Sequence, residues 1–201
     1  ASASARPAPE LVPPTGSVTI NTGAAFTNSA SVKLNLSATD ASGVSSMCIS
    51  NTSTCTRYEP YATSKQWTLG STNGPATVYV WFKDRYENAT GTPAKASVTV
   101  DTTAPAGGTF NATQGAAGSK QINLSWTAAT DVNGVVAYKV VFAPGSTAPA
   151  TCNAGITVYN SAGLNYIHTG LVAGSVYSYR WCAVDKAGNF SAGLGRTVAA
   201  R

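Results

Sequence analysis

The sequence predicts an all-β protein made of two tandem β-sandwiches behind a Pro-rich N-terminal arm. Residues 38–44 return in closely similar form as residues 129–135, about 90 residues later. Each copy follows a stretch in which apolar and polar residues alternate, which is the pattern of a half-buried strand. A repeat of about 90–100 residues is the size of one sandwich domain. No apolar period of 3.6 residues persists along the chain, so we expect no helix.

Composition and pattern divide the chain into four segments. Residues 1–14 are rich in Ala, Ser and Pro, so we expect an extended arm that cannot form a core by itself. Residues 15–101 and 106–201 are each long enough to bury the core of one sandwich. Residues 102–105 form a short linker between them, which Pro105 stiffens.

Each predicted sandwich contains strands with a clear period of two. Leu34 and Leu36 alternate with Lys33 and Asn35 in the first sandwich. In the second, the residues predicted to point inward from one strand are Val136, Tyr138, Val140 and Phe142. The predicted strands are residues 16–20, 32–38, 44–50, 67–69, 78–83 and 96–101, then 122–126, 136–142, 166–171, 177–183 and 195–200.

Charge and composition argue against several function classes. Only 10% of the residues are charged, and the net charge of +5 comes from basic residues scattered along the chain, so we expect no nucleic-acid binding. No apolar stretch is long enough to span a membrane. His168 is the one imidazole, and its strand-like surroundings favour a position on a sheet face over a general base. Common catalytic motifs are absent, so we predict a protein that is not an enzyme and holds no cofactor.

Four cysteines fall two to each predicted sandwich. Cys48 and Cys55 are close in sequence, whereas Cys152 and Cys182 lie farther apart. Neither spacing suits a zinc finger, so two intradomain disulfides are the simplest interpretation, and these persist in an oxidising compartment. The first three residues, Ala-Ser-Ala, look like the mature side of a signal-peptidase site. We therefore expect a secreted or cell-surface protein whose signal peptide has been removed.

Residues 171–189 of the second sandwich read LVAGSVYSYRWCAVDKAGN. This stretch resembles the E–F corner and F strand of a fibronectin type III domain, and the resemblance covers about residues 104–201. It implies that Tyr177 forms the tyrosine corner, in which its hydroxyl bonds to upstream backbone, and that Trp126 is the family's buried strand-B tryptophan. Such a resemblance predicts the fold and says little about function.

The first sandwich resembles the immunoglobulin-like repeats of large bacterial secreted and surface proteins. The resemblance rests on residues 15–20, 35–40 and 78–84. Ala76 stands where Tyr177 would align, so this sandwich departs from the fibronectin pattern and has no tyrosine corner there.

The alternation of strand residues also predicts where the disulfides lie. If Trp181 points into the core, Cys182 points outward, and its disulfide would tether the loop that carries Cys152 to the outer face of the sheet. By the same parity, Cys48 faces outward toward Cys55.

Acidic residues at predicted strand ends are candidate calcium ligands, because calcium prefers carboxylate oxygens. No compact Asp-x-Asp-x-Asp cluster exists, so we favour a simpler role, in which the carboxylates cap turns through hydrogen bonds to backbone. The candidates are Asp40, Asp84, Glu87 and Asp101 in the first sandwich, with Asp131 and Asp185 in the second.

Parity places aromatic residues on the outside of the first sandwich. With Val80 pointing inward, Tyr79 and Trp81 point outward. Exposed rings of this kind form protein–protein hot spots or stack on sugar rings, unless the disulfide-closed loop folds over and buries them. The candidate interaction surface consists of Tyr58, Tyr61, Trp67, Tyr79 and Trp81.

These observations predict a non-catalytic extracellular module, structural or adhesive, that acts through protein–protein contacts as a subunit of a surface assembly or filament. Its arm would pair with the edge strand of a neighbour. The alternative is a spacer or carbohydrate-binding accessory region of a secreted hydrolase. The expected partner is a protein or a second copy, with a glycan as the other candidate, and direct insertion into a membrane is not expected.

Overall fold

The computed structural model of the chain describes residues 10–201, and the first nine residues of the predicted arm lie outside that range. The chain divides between Asp101 and Thr102 into two compact units, called here the first unit and the second unit. Within the described residues, the one helical element is a 3-10 turn at Asn21–Gly23. The all-β prediction is therefore confirmed.

The first unit is a sandwich of a three-stranded and a five-stranded sheet. Its strands are β1 (Thr15–Ile20), β2 (Phe26–Thr27), β3 (Ser31–Thr39), β4 (Val44–Ser50), β5 (Glu59–Pro60), β6 (Ser64–Thr68), β7 (Gly74–Asp84) and β8 (Ala94–Val100). The sheet orders are β1-β3-β6 and β2-β8-β7-β4-β5. Leu34 on β3 faces Val80 and Phe82 on β7 across a shared core, and all three are fully buried. The alternation in sequence thus becomes one buried face on each sheet.

The second unit is also a sandwich, made of a three-stranded and a four-stranded sheet. Its strands are β9 (Phe110–Gln114), β10 (Ile122–Trp126), β11 (Val135–Pro144), β12 (Ile156–Ser161), β13 (Asn165–His168), β14 (Val176–Asp185) and β15 (Leu194–Ala199). The sheet orders are β13-β10-β9 and β12-β11-β14-β15. At the centre of the core, the Trp181 ring lies nearly parallel to Phe110 and Tyr138, with centroid distances of 6.3 and 5.6 Å.

One inward-facing residue was predicted wrongly. Val136 is 46% exposed, whereas Val135 packs against the core. The register between β11 and β14 shifts between Val135 and Ala137, so an extra residue enters the strand and reverses the alternation there. From Tyr138 onward the predicted inward parity holds.

Candidate functional site

In both units the chain crosses from an edge strand of one sheet to an edge strand of the other. The crossing runs from β5 to β6 in the first unit and from β12 to β13 in the second. We call this face of each unit the crossover side. The two crossover sides differ sharply in composition, and the candidate sites lie on them.

The crossover side of the first unit contains a cleft of about 320 Å³. Trp67 and Lys65 from β6 and Ile49 from β4 line it, together with Arg57 and Glu59. Lys65 Nζ donates to Glu59 Oε2 at 2.6 Å, which ties β6 to β5. The cleft therefore combines an aromatic wall with groups of both charges.

The Trp67 indole is held by the loop that follows β4. Its Nε1 donates to Asn51 Oδ1 at 2.8 Å, and Asn51 Nδ2 donates to the Thr68 carbonyl at 3.0 Å. Asn51 lies within the loop that the Cys48–Cys55 disulfide closes. The two hydrogen bonds of the Asn51 side-chain amide thus hold the Trp67 ring in position against β6. The ring remains partly exposed and lines the cleft.

Two other predicted surface aromatics lie on the outer face of β7, and one of them is covered. Trp81 is only 9% exposed, which corrects the expectation of an exposed indole. Its cross-strand neighbour is Cys48, and the half-buried Tyr79 stacks beside it with a centroid distance of 6.4 Å. The disulfide position and Tyr79 therefore leave little of this indole to solvent.

The remaining two predicted surface aromatics are also engaged. Tyr61 packs its ring edge against the buried Phe82 at 5.9 Å, and its hydroxyl accepts from the Ala38 N–H at 3.0 Å. It is therefore partly buried and packs against the core, which corrects its predicted surface role. Lys83 Nζ lies 4.4 Å from the centroid of the Tyr58 ring, a cation–π contact. Of the five predicted residues, Trp67 is the one that lines the cleft described above.

Both disulfides join the residues predicted from the cysteine count. Cys48 bonds to Cys55, and Cys152 bonds to Cys182. Cys182 lies opposite Lys139 on the sheet and stays outside the aromatic core, as the strand parity requires. Two disulfides fit an extracellular domain.

Within residues 10–201, no helix is long and apolar enough to cross a membrane.

The crossover side of the second unit is filled by aromatic rings. Phe142 meets His168 edge-on at 4.7 Å, and Tyr159 lies 5.5 Å from Tyr166. Tyr159 also meets the Trp126 ring at 5.1 Å. These rings close the space between the two sheets where the first unit has its cleft.

His168 lies on the inner face of β13, where its Nδ1 is 2.8 Å from the Tyr179 hydroxyl. Burial lowers the pKa of His168 below its ordinary value of 6.5 and raises the pKa of Tyr179. Both side chains are therefore neutral at pH 7, and their hydrogen bond links the two sheets. This arrangement is structural and offers no exposed general base.

The crossover side of the second unit carries no charge. No Asp, Glu, Lys or Arg occurs between Lys139 and Arg180, a stretch that contains both β12 and β13. Apolar side chains there reach solvent: Ile156 is 58% exposed and Ile167 is 52% exposed.

The structure brings two of the predicted calcium candidates together with a residue that was not predicted. Carboxylate oxygens of Glu10, Asp40 and Asp84 lie within 4.8 Å of one another. Glu87 instead pairs with Lys83 at 2.7 Å. Among the remaining candidates, Asp101 is buried at the end of β8, and Asp131 and Asp185 lie close together in the second unit.

Each paired carboxylate caps its own turn. Asp40 Oδ1 accepts from the Ser42 N–H at 2.8 Å, and Asp84 accepts from the Asn88 N–H and side-chain amide at 2.9 and 2.6 Å. Burial alone would raise the pKa of Asp84, but the hydrogen bonds from Asn88 and Tyr86 outweigh it and hold that pKa below 3.8. The carboxylates thus have a structural role in shaping turns.

The predicted tyrosine-corner residue makes a local backbone contact. The Tyr177 hydroxyl accepts from the Val172 N–H, five residues upstream, at 3.1 Å. In the first unit the aligned Ala76 is buried in the core.

Comparison with known proteins supports the fold. No protein-family model and no curated protein matches the sequence. The structure is similar to the fibronectin(III)-like modules of CbhA from Clostridium thermocellum, with a TM-score of 0.62 and 13% identity over 92% of this chain and 94% of that one. It is also similar to the FN1–FN3 domains of chicken CNTN1, with a TM-score of 0.57 and 12% identity over 92% of this chain and 68% of that one. The resemblance to fibronectin type III-like sandwiches is thus confirmed for the fold.

Proposed function

We propose that this protein is a non-catalytic extracellular module that acts through protein–protein contacts and joins copies of itself. The observation that carries the proposal is the uncharged crossover side of the second unit, where two sheet edges lie side by side in the sequence. Fibronectin type III-like modules commonly mediate protein–protein contacts, which supports this function. The two disulfides support an extracellular location.

An edge strand presents a row of backbone N–H and C=O groups that can pair with an added strand. Proteins usually guard such edges with Lys, Pro or very short strands. β12 is six residues long and contains neither charge nor Pro. One protective feature is present, because the pairing of β12 with β11 shifts register between Val140 and Val141. Residues 159–161 are therefore the part of β12 that pairs without irregularity.

We assign the N-terminal arm of a second copy as the strand that pairs with β12. Residues 1–6, Ala-Ser-Ala-Ser-Ala-Arg, contain no Pro and alternate small apolar and polar residues. Six extended residues span about 20 Å, which is enough to pair along the regular stretch at residues 159–161. Each copy would then offer one arm and one edge, a heterologous contact that joins copies in series.

The test is light scattering over a range of concentrations, with negative-stain microscopy of the same samples. The variants are a deletion of residues 1–9, Asn160→Lys on β12, and Asn123→Lys as the matched control. Asn123 is exposed on β10, which already has a strand on each side. We expect the wild type and the control to form oligomers, and the other two variants to stay monomeric.

Each outcome separates the possible contacts. Oligomers that survive the deletion but not Asn160→Lys would replace the arm with a second β12 as the pairing strand. Oligomers that survive both changes would remove β12 from the contact. A wild type that stays monomeric at millimolar concentration would overturn self-assembly.

A further inference from the structure

We propose that the cleft beside Trp67 binds an acidic oligosaccharide, with one uronic acid ring against the indole. This site lies on the first unit and does not depend on strand pairing by the second. Its lining comes from β4, from β6 and from the chain around β5.

The aromatic wall is held in place before any ligand arrives. The Trp67 N–H is already occupied by Asn51, so the indole offers a ligand its carbon surface rather than its donor. The disulfide-closed loop keeps Asn51 in position. A fixed ring loses little conformational freedom on binding, which favours stacking against the C–H face of a sugar.

The polar groups suit hydroxyls that both donate and accept. Lys65 and Glu59 form an ion pair whose side chains remain 40% and 34% exposed. The ammonium has further donors and the carboxylate has further acceptor sites beyond their shared bond. Neighbouring sugar hydroxyls can therefore bridge the pair without breaking it.

The net positive charge of the residues that line the cleft favours an acidic sugar over a neutral one. Arg57 and Lys65 are positive and Glu59 is negative, so the cleft has a net positive charge. Arg57 is exposed and takes part in neither of the two ion pairs found among the described residues. A guanidinium binds a carboxylate through two parallel, charge-assisted hydrogen bonds, and a neutral sugar has no carboxylate to accept them.

The size of the cleft agrees with this ligand class. About 320 Å³ is at the lower end of the range for small-ligand sites, which is roughly 300–1,000 Å³. A short stretch of sugar chain fits that volume, with the remainder of the chain running out into solvent.

The test is a titration of the full chain with trigalacturonic acid, compared with galactotriose and with a Glu-rich tripeptide. Tryptophan fluorescence reports on the site, because Trp81, Trp126 and Trp181 are each at most 9% exposed and Trp67 is more exposed. We expect the acidic trisaccharide to quench the fluorescence. The neutral trisaccharide should bind roughly tenfold more weakly, because it lacks the charged hydrogen bonds.

Three variants assign the contacts. Arg57→Gln should weaken binding of the acidic sugar by roughly tenfold and leave the neutral sugar unaffected. Trp67→Phe removes the indole that reports by fluorescence, so its binding is measured by isothermal titration calorimetry. It should retain weakened binding of both sugars, which also shows that the site still folds. Arg196→Gln, an exposed arginine in the second unit, is the matched control and should change nothing.

The proposal is overturned if the acidic trisaccharide produces no response at millimolar concentration. It is also overturned if Arg57→Gln and Arg196→Gln weaken binding equally, since the charge would then act only from a distance. Tighter binding of the Glu-rich tripeptide than of the sugar would reassign the cleft to acidic peptides.

Discussion

The two crossover sides have the same topology and opposite character. In the first unit a partly exposed tryptophan and three charged side chains surround an open cleft. In the second unit the equivalent space is filled by Phe142, Tyr159, Tyr166 and His168, and the surface outside them is uncharged. The side chains of the two edge strands therefore decide whether this side of a sandwich is a cleft or a packed wall.

The backbone edges differ in the same sense. β5 is only two residues long and includes Pro60, and β6 carries Lys65, so the first unit guards its crossover edges. β12 is longer than β5, and neither β12 nor β13 contains Lys or Pro. A guarded edge leaves the first unit available for a soluble ligand, whereas the second unit can accept a strand.

The strongest test of this comparison replaces the tryptophan on each side. Trp126→Ala should cost about 3–5 kcal/mol, because this 5%-exposed ring packs among other rings. Trp67→Ala should cost about 1–2 kcal/mol, because that ring is partly exposed and loses mainly one hydrogen bond and partial burial. Hydrogen exchange resolved by unit measures both losses. Equal costs would show that the first-unit cleft is as much a part of the core as the second-unit wall.

The disulfides give the next largest contrast. Cys152 and Cys182 are 30 residues apart and Cys48 and Cys55 are 7 apart. On the loop-entropy model, replacing Cys152 and Cys182 together by Ala costs about 3–4 kcal/mol of unfolding free energy. Replacing Cys48 and Cys55 together by Ala costs about 2–3 kcal/mol. Denaturant unfolding of the two double variants measures the difference. A larger loss from the short loop would mean that its main effect is to position Asn51 and Trp67 rather than to restrict the unfolded chain.

Sequence reasoning predicted the sandwich strands well and the site poorly, and the reasons are physical. Period-two alternation identifies β3, β7 and β14 because one face of each is buried. The repeat also predicted equivalent turns, but it did not predict which hydroxyl groups accept hydrogen bonds from their backbone. The Ala38 N–H donates to the hydroxyl of Tyr61, which lies between β5 and β6, whereas the equivalent Ala129 N–H donates to the hydroxyl of Tyr138 on β11.

The candidate site could be predicted only in part because no local sequence motif shows that its members converge. Trp67 was identified from its residue type, but Arg57, Glu59 and Lys65 meet only when β5 and β6 come together. The expectation for Trp81 failed because parity shows which face a residue occupies and not what covers it. β9 and β12 were missed because FNATQ and ITVYNS lack sustained alternation of strongly apolar residues.

A smaller effect compares the equivalent turns after β7 and β14. Glu87 has a φ of 69° and stands where the second unit has Gly188, whose φ is 89°. Gly188→Ala should cost about 1–2 kcal/mol, since a Cβ would meet no neighbouring atom and only backbone strain is added. Glu87→Gly should change the unfolding free energy by less than about 0.5 kcal/mol, as relief of strain offsets loss of the Lys83 ion pair and added chain entropy. Thermal unfolding of both variants checks the pair, and a large loss for Glu87→Gly would assign the ion pair a greater role.

The smallest expected effect is a pH dependence confined to the second unit. The folded-state pKa of His168 is lowered by burial, so the unfolded chain binds a proton first as the pH falls. The stabilisation is therefore fully present above the ordinary value of 6.5 and is lost as the pH falls below it toward the folded-state pKa. Hydrogen exchange of the second unit between pH 7.5 and about 5.5 should show this loss. His168→Gln should flatten the dependence, and a similar slope in the first unit, which has no histidine, would assign it to carboxylates instead.

The absence of Lys and Arg from residues 140–179 also determines how the chain can be cut. Trypsin cleaves after these residues, so it has no cleavage site inside β12, β13 or the connection between them. A complete digest should leave residues 140–180 as one uncut peptide. Without reduction, the Cys152–Cys182 disulfide should keep this peptide joined to the fragment that carries Cys182. The edge that we propose as the acceptor of another strand thus contains no site at which trypsin cleaves.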